Sequence, residues 1–249
     1  MSRFAFYLDL DGVFADYEAG IRALGFTPDP ALAKTLNRSG TDNPLKREMH
    51  EAIKGSGFYR TLPLLPGSID IFNAVAEHDP HILTAAPKFG LKGDDYLTDP
   101  YWLGAAYDKR WWVEGVLLPA AAIKQMTDQM MFVTEDPNYR IRIPDDKFIC
   151  TTSERKQRFM HRQHAPHQVL IDDREQNCWA WYQAGGIAIQ HDPEQVGITL
   201  SLIKALLSLP SDQVLSPNVV GYAHLPPVTT AENGLFERFP FLARPEPIA

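Results

Sequence analysis

The stretch FAFYLDLDG, residues 4–12, decides how the chain is read. Phe4 to Leu8 is a short apolar run, too short for a helix and bounded by polar residues. Asp9 ends it, and Asp11-Gly12 is a turn signal. The stretch therefore predicts a buried strand whose carboxyl end carries two acids.

Four more short runs follow the same form. HILT (81–84) leads into Ala85-Ala86-Pro87, and FIC (148–150) leads into Thr151-Thr152-Ser153. VLI (169–171) leads into Asp172-Asp173, and GIAI (186–189) comes last. Helical spacing fills the gaps: Ile69, Phe72 and Ala76; Cys178, Trp179, Trp181 and Tyr182; and Val196, Leu200, Ile203 and Leu207 on one face within 193–207. Strands alternating with helices predict an α/β fold, a Rossmann-like parallel sheet with helices on both faces. Ligands of such sheets bind beyond the carboxyl ends of the strands, which is where the polar residues fall.

Two stretches break the alternation. Residues 17–63 carry helical patterns without strands, with Leu45, Met49 and Ile53 on one face of a helix begun near Asp42 or Asn43. They predict a small helical cap inserted between the first and second core strands. Residues of about 90–146 form a second insertion, long enough for at least two helices and holding Trp102, Trp111, Trp112 and the Met-rich QMTDQMMF. The core then comprises 1–16 and 64–208. From residue 209 the chain changes character: seven of its 20 prolines lie in 209–249, among apolar residues such as Val219, Tyr222 and Phe239. This Pro-rich C-terminal extension is too apolar for a solvated tail and suits an extended segment that wraps the domain or meets a partner. A homodimer is compatible with it.

The chain has 249 residues, 45% of them hydrophobic and 22% charged, and a net charge of -7. That balance suits a globular domain and argues against a general nucleic-acid binder, whose footprint would be basic. Two cysteines, Cys150 and Cys178, make no framework and read as reduced thiols. The first residues lack a signal peptide's apolar run, and no stretch is long enough for a membrane span. The expectation is a cytoplasmic protein without membrane association.

Asp9-x-Asp11-Gly12 and Asp172-Asp173 together place four carboxylates at the sheet edge. Such a cluster repels itself unless a cation compensates. Oxygen ligands select a hard ion, and Mg²⁺ fits a site that retains waters and meets a phosphate. Thr84 offers a hydroxyl to a phosphate oxygen, and Lys156 adds a positive charge after the third strand. A turn with solvated acids would explain DxDG alone. It does not explain DxDG, a strand-end threonine, a lysine and a strand-end acid pair appearing in that order.

This order resembles the haloacid dehalogenase superfamily, whose Rossmann-like core carries four motifs at these places. It is similar, more narrowly, to the 5′(3′)-deoxyribonucleotidases. Residues 9–20, DLDGVFADYEAG, stand where that family has D-M-D-G-V-L-A-D-F-x-x-G. Residues 57–67, GFYRTLPLLPG, are similar to its G-F-F/W-x-x-L-x-P-I-P-G. The resemblance implies Asp9 as nucleophile and metal ligand and Asp11 as general acid and base. It implies a Mg²⁺ shell drawn from Asp9, Asp11, Asp172 and Asp173, with Asp172 the direct ligand and Asp173 supporting. Thr84, Lys156 and the loop amides from Ala85 onward would hold the phosphate, and Tyr17, Phe58 and Tyr59 would line a nucleoside pocket. The chain departs from the family at Ala85-Ala86-Pro87, where Thr-Ser-Pro is usual, and at Glu154, where arginine is usual. Both departures fall where phosphate and sugar are held.

The activity implied is hydrolysis of a nucleoside 5′-monophosphate, a small-molecule phosphate ester. Two rivals stand beside it: a phosphatase for a sugar phosphate or a polynucleotide 3′-phosphate end, and a non-enzymatic scaffold that binds through its tail. The acidic charge disfavours the polynucleotide, and the joint presence of Asp9, Asp11, Lys156 and Asp172 disfavours the scaffold. His161, His164 and His167 are spaced like metal ligands, but Pro166 breaks the helix that would align them, so they read as polar surface. Trp111-Trp112 reads as an anchor for the insertion, Trp179 and Trp181 as helix packing, and the methionines as core filler.

Overall fold

The computed structural model describes residues 4–27, 44–129, 140–160 and 167–209. His161, His164, the C-terminal extension from 210 onward and the last methionines of the Met-rich run lie outside these residues.

Five parallel strands form one sheet: β1 (Ala5–Leu8), β2 (His81–Ala85), β3 (Phe148–Thr151), β4 (Gln168–Asp172) and β5 (Ile187–Gln190). Each coincides with a run read from the sequence. Their order is β3-β2-β1-β4-β5. The chain builds outward from β1 to β2 and β3, then crosses to β4 and β5 on the other side. The order therefore reverses between β1 and β4, and that reversal is where such sheets open a ligand crevice at their carboxyl edge. Leu8 pairs with Ile171, and the Asp9 amide donates to the Ile171 carbonyl at 3.0 Å. The register brings Asp9 level with Asp172.

Side chains alternate across the sheet with a period of two. Phe6, Leu8, Val169, Ile171, Ile187 and Ile189 join the core under α3 (Ser68–Val75) and α7 (Val196–Leu207). Tyr7, Leu83, Leu170 and Ala188 face the other way, against Cys178 and Trp181 of α6 (Glu175–Gln183). Both faces are covered, as parallel sheets require. Trp181 is fully buried and donates to the Gln168 carbonyl at 3.1 Å, so it packs as read. The stripe on α7 is rotated from the sequence reading: Thr199, Leu202, Ile203 and Leu206 are buried, while Leu207 is exposed. Thr199 tolerates burial because its hydroxyl shares a 2.8 Å hydrogen bond with His191 Nδ1.

Between β1 and β2 lie α1 (Tyr17–Ala23), α2 (Pro44–Ile53), a short turn of helix (Phe58–Arg60) and α3. Asp16 caps α1 by accepting from the Ala19 amide at 2.8 Å. On α2, Ile53 is buried and Met49 half-buried, but Leu45 is exposed, so this helix meets the core only near its C-terminal end. Between β2 and β3 lie α4 (Pro100–Trp112) and α5 (Leu118–Asp128), joined through one wide π-type turn over Val113–Leu117. Asp99 accepts from the amides of Tyr101 and Trp102, and Pro100 begins the helix where no amide is needed. Trp112 is buried and donates to the Leu62 carbonyl at 2.7 Å, tying the second insertion to the first. No described helix is long and apolar enough to cross a membrane.

Candidate active site

The loop after β1 turns sharply because Gly12 adopts a φ of 76°, and a Cβ there would lie 2.5 Å from the Asp173 carboxyl carbon. Glycine is therefore required twice, for its conformation and for the approach of Asp173. The turn carries Asp9 and Asp11 over the carboxyl edge. One carboxylate oxygen each from Asp9, Asp172 and Asp173 lie within 4.8 Å of one another.

Lys156 holds the inner part of this cluster. It is 1% exposed, and its Nζ lies 2.7 Å from Asp9 Oδ2 and 2.6 Å from Asp172 Oδ2. Burial works against its charge, but Asp172 and Asp9 outweigh burial and keep the ammonium well above its ordinary range. Asp172 is fully engaged. Its Oδ1 accepts from the Arg174 amide and from Asn177 Nδ2, both at 2.9 Å, and its Oδ2 accepts from Lys156 and Asn177. Burial pushes its carboxyl up to about 6, against the pull of Lys156. Asp173 is different. Its Oδ1 is buried and has no hydrogen-bond partner among the described residues. Burial, then the charges of Asp172 and Asp9, hold its carboxyl well above the usual range.

The outer part belongs to Asp11 and Thr84, and here the structure adds a residue that the sequence reading passed over. Lys109 of α4 is 1% exposed, and its Nζ lies 2.6 Å from Asp11 Oδ2 and 3.2 Å from Thr84 Oγ1. The same ammonium sits 4.3 Å from the centre of the Tyr59 ring. Burial lifts the Asp11 carboxyl, and Lys109 pulls it back only in part. Asp11 Oδ1 has no partner among the described residues. A signal for Lys109 existed. Trp102, Ala105, Lys109 and Trp112 are the buried residues of α4, a stripe at helical spacing with one lysine in it.

Thr84 is fully buried at the end of β2, and Ala85 continues that strand opposite Thr151. The Ala86 amide donates to the Thr151 carbonyl at 3.0 Å, so it is spent within the sheet. Tyr17 is half-buried and meets Phe58 edge-on at 5.5 Å, while Phe58 meets Tyr59 edge-on at 5.1 Å. Phe58 is 5% exposed and packs beneath Gly20. Tyr59 instead lines a cavity of about 430 Å³, together with Ile53, Arg60, Phe89, Tyr101 and Asp108. Glu154 and Arg155 tie loops together: Glu154 pairs with Lys88, and Arg155 pairs with Asp94 and donates to the Tyr96 hydroxyl at 3.1 Å. His167 lies against Phe4, with ring centres 6.2 Å apart.

Fold and site define a class: a Rossmann-like α/β protein with a lysine-neutralised carboxylate centre at its topological switch point. No family model and no curated protein matches the chain. Among solved structures it is similar to a crystal structure of a HAD family hydrolase from Deinococcus radiodurans R1 with bound phosphate and sodium. The two are 14% identical, the match covers 85% of this chain and 100% of that one, and the TM-score is 0.35. That likeness carries no functional argument, which is left to the site's geometry and the sequence motifs.

Proposed function

We propose that the protein is a Mg²⁺-dependent phosphomonoesterase of the haloacid dehalogenase type, acting through a phosphorylated Asp9. One observation carries this reading. Three acid oxygens gather at the switch point, and one of those acids, Asp173, keeps a buried oxygen without a partner. A buried unpaired acid oxygen is costly, and a cation removes the cost. Oxygen donors of this kind suit a hard divalent ion. Asp9 and Asp173 would hold it directly, while Asp172, already saturated by Lys156, Asn177 and the Arg174 amide, would orient Lys156. This division is the reverse of the one implied by the family resemblance.

A Mg²⁺ ion seated there supplies charge neutralisation of the phosphate dianion. Asp9 then attacks phosphorus in line, and the bond to the ester oxygen breaks as Asp11 gives that oxygen its proton. Asp11 next takes a proton from the water that attacks the phosphoaspartate, releasing inorganic phosphate and restoring Asp9. Lys156 and the Thr84 hydroxyl stabilise the phosphoryl oxygens. The raised Asp11 carboxyl suits the first of these steps.

The substrate assigned is a nucleoside 5′-monophosphate. Support comes from the motif likeness and from the cavity walled by Tyr59, Phe89 and Tyr101, which none of the site acids lines and which adjoins them through Tyr59 beside Lys109. A phosphate-release screen over nucleotides and sugar phosphates, with Mg²⁺ and with chelator, tests both levels. The expected result is chelator-sensitive release that is fastest from nucleotides. A preference for sugar phosphates would remove the nucleotide assignment alone, and no release from any ester would remove the phosphatase. Phe89→Ala should lower kcat/KM for the nucleotide by up to about a hundredfold if a base stacks there. It should spare p-nitrophenyl phosphate.

A further inference from the structure

Lys109 reaches the site from the second insertion, outside every motif of the sequence. Four elements meet at its ammonium: α4 supplies it, the loop after β1 brings Asp11, β2 brings Thr84, and the Phe58–Arg60 turn brings the Tyr59 ring. Lysine is a poor choice for a buried helix stripe. Its burial beside tryptophans is tolerable only with a compensating acid, and an apolar residue of similar volume would pack there at no loss. Helix packing therefore leaves the amine unexplained, whereas the chemistry of its partner explains it.

We propose that Lys109 is a positioning residue that fixes the Asp11 carboxyl on the leaving-group side of the site, making α4 part of the reaction centre. The two lysines divide the acids between them. Lys156 binds Asp9 and Asp172, while Lys109 binds Asp11 and is itself anchored on the Thr84 hydroxyl. Without Lys109 the Asp11 side chain, 27% exposed, is free to rotate toward water, and the acid is no longer held where the ester oxygen departs. This inference rests on the proposed role of Asp11 as acid and base.

The test uses Lys109→Met, Lys109→Gln and Lys109→Arg in the full chain, with two substrates. From a nucleoside 5′-monophosphate the nucleoside leaves as an alkoxide and needs the proton, whereas from p-nitrophenyl phosphate p-nitrophenolate leaves and does not. Lys109→Met is expected to lower kcat for the nucleotide by about 100-fold, the scale of a general acid's contribution, with KM nearly unchanged. The first-turnover burst of p-nitrophenolate should survive within about threefold, with steady-state turnover slowed because phosphoaspartate hydrolysis also uses Asp11. Lys109→Gln removes the charge and shortens the reach to Asp11 while staying polar, and covers the case in which the Met variant does not fold; Lys109→Arg should restore part of the rate. In an Asp11→Asn background, Lys109→Gln should cost nothing further, because both changes remove one function. An equal loss of first-turnover rate on both substrates, a loss confined to KM, or additivity with Asp11→Asn would overturn the assignment. A wild-type protein that cleaves no phosphate ester overturns the phosphatase reading and this one together, whereas an active wild type with an unimpaired Lys109→Gln overturns this one alone.

Discussion

The inner and outer halves of the acidic centre are built alike and held differently. Inside, Asp9 and Asp172 come from adjacent strands of the sheet and share Lys156, with every partner supplied by the core. Outside, Asp11 is met by Lys109 from an inserted helix, and its side chain remains 27% exposed. In the inner half Asp9 and Asp172 are satisfied before any ligand arrives, and Asp173 alone of the three acids keeps a buried oxygen without a partner among the described residues. The outer half leaves Asp11 Oδ1 buried and without a partner among the described residues, so one oxygen of this acid is uncommitted. Rigid placement of the proposed nucleophile and a proton carrier with one oxygen uncommitted are what a two-step displacement needs from these two positions.

The largest effect should come from the inner half. Asp9→Asn removes the nucleophile and should lower turnover by about four orders of magnitude or more while leaving the melting curve near that of the wild type. Substantial activity in this variant would erase the distinction between the halves.

Lys156→Met should show the inner network as a matter of stability. It strands two buried carboxylates, a loss of about 3–5 kcal/mol. Mg²⁺ should restore part of it, because the ion would take over the neutralisation of Asp9. Thermal melts with and without Mg²⁺ measure this, and the account is in difficulty if Lys109→Met is the more destabilised protein. Asp11 can recover water on losing its lysine, whereas Asp9 and Asp172 cannot.

Next in size is the split within the acid pair. Asp173→Asn should raise the Mg²⁺ concentration for half-maximal activity by more than about tenfold, as loss of a direct ligand should. Asp172→Asn should act mainly through Lys156, on stability and turnover. The opposite ranking would restore the division implied by the family resemblance. The smallest effect is expected at Tyr59→Leu, which removes the ring beneath Lys109. A cation–π contact contributes roughly 0.5–2 kcal/mol, so turnover should fall by no more than about thirtyfold, and by far less at Lys156-dependent steps.

The same contrast explains what was legible in the sequence. The inner half could be read because strand runs and strand-end acids are local signals: five apolar runs gave the five strands, and their ends gave Asp9, Asp172 and the strand-adjacent Thr84 and Lys156. Lys109 was not read, since a lysine at one position of a helix usually faces solvent, and only the flanking Trp102, Ala105 and Trp112 mark that face as buried. The division of work between Asp172 and Asp173 was also beyond the sequence, because two adjacent acids look alike until Asn177 and the Arg174 amide are seen to saturate one of them. Phe58 and Tyr59 show the same limit. Both are buried in one core cluster, and packing of Phe58 against Gly20 leaves only Tyr59 on the wall of the 430 Å³ cavity.

The central claim is that Asp9 is phosphorylated during turnover. Mixing the protein with Mg²⁺ and an ester labelled in its phosphoryl group, quenching in acid within the first turnover and mapping the labelled peptide tests it directly. The account predicts a hydroxylamine-labile label on Asp9, absent in chelator and absent from Asp9→Asn. Product formation with no label on the protein, or a label on any other residue, would contradict it.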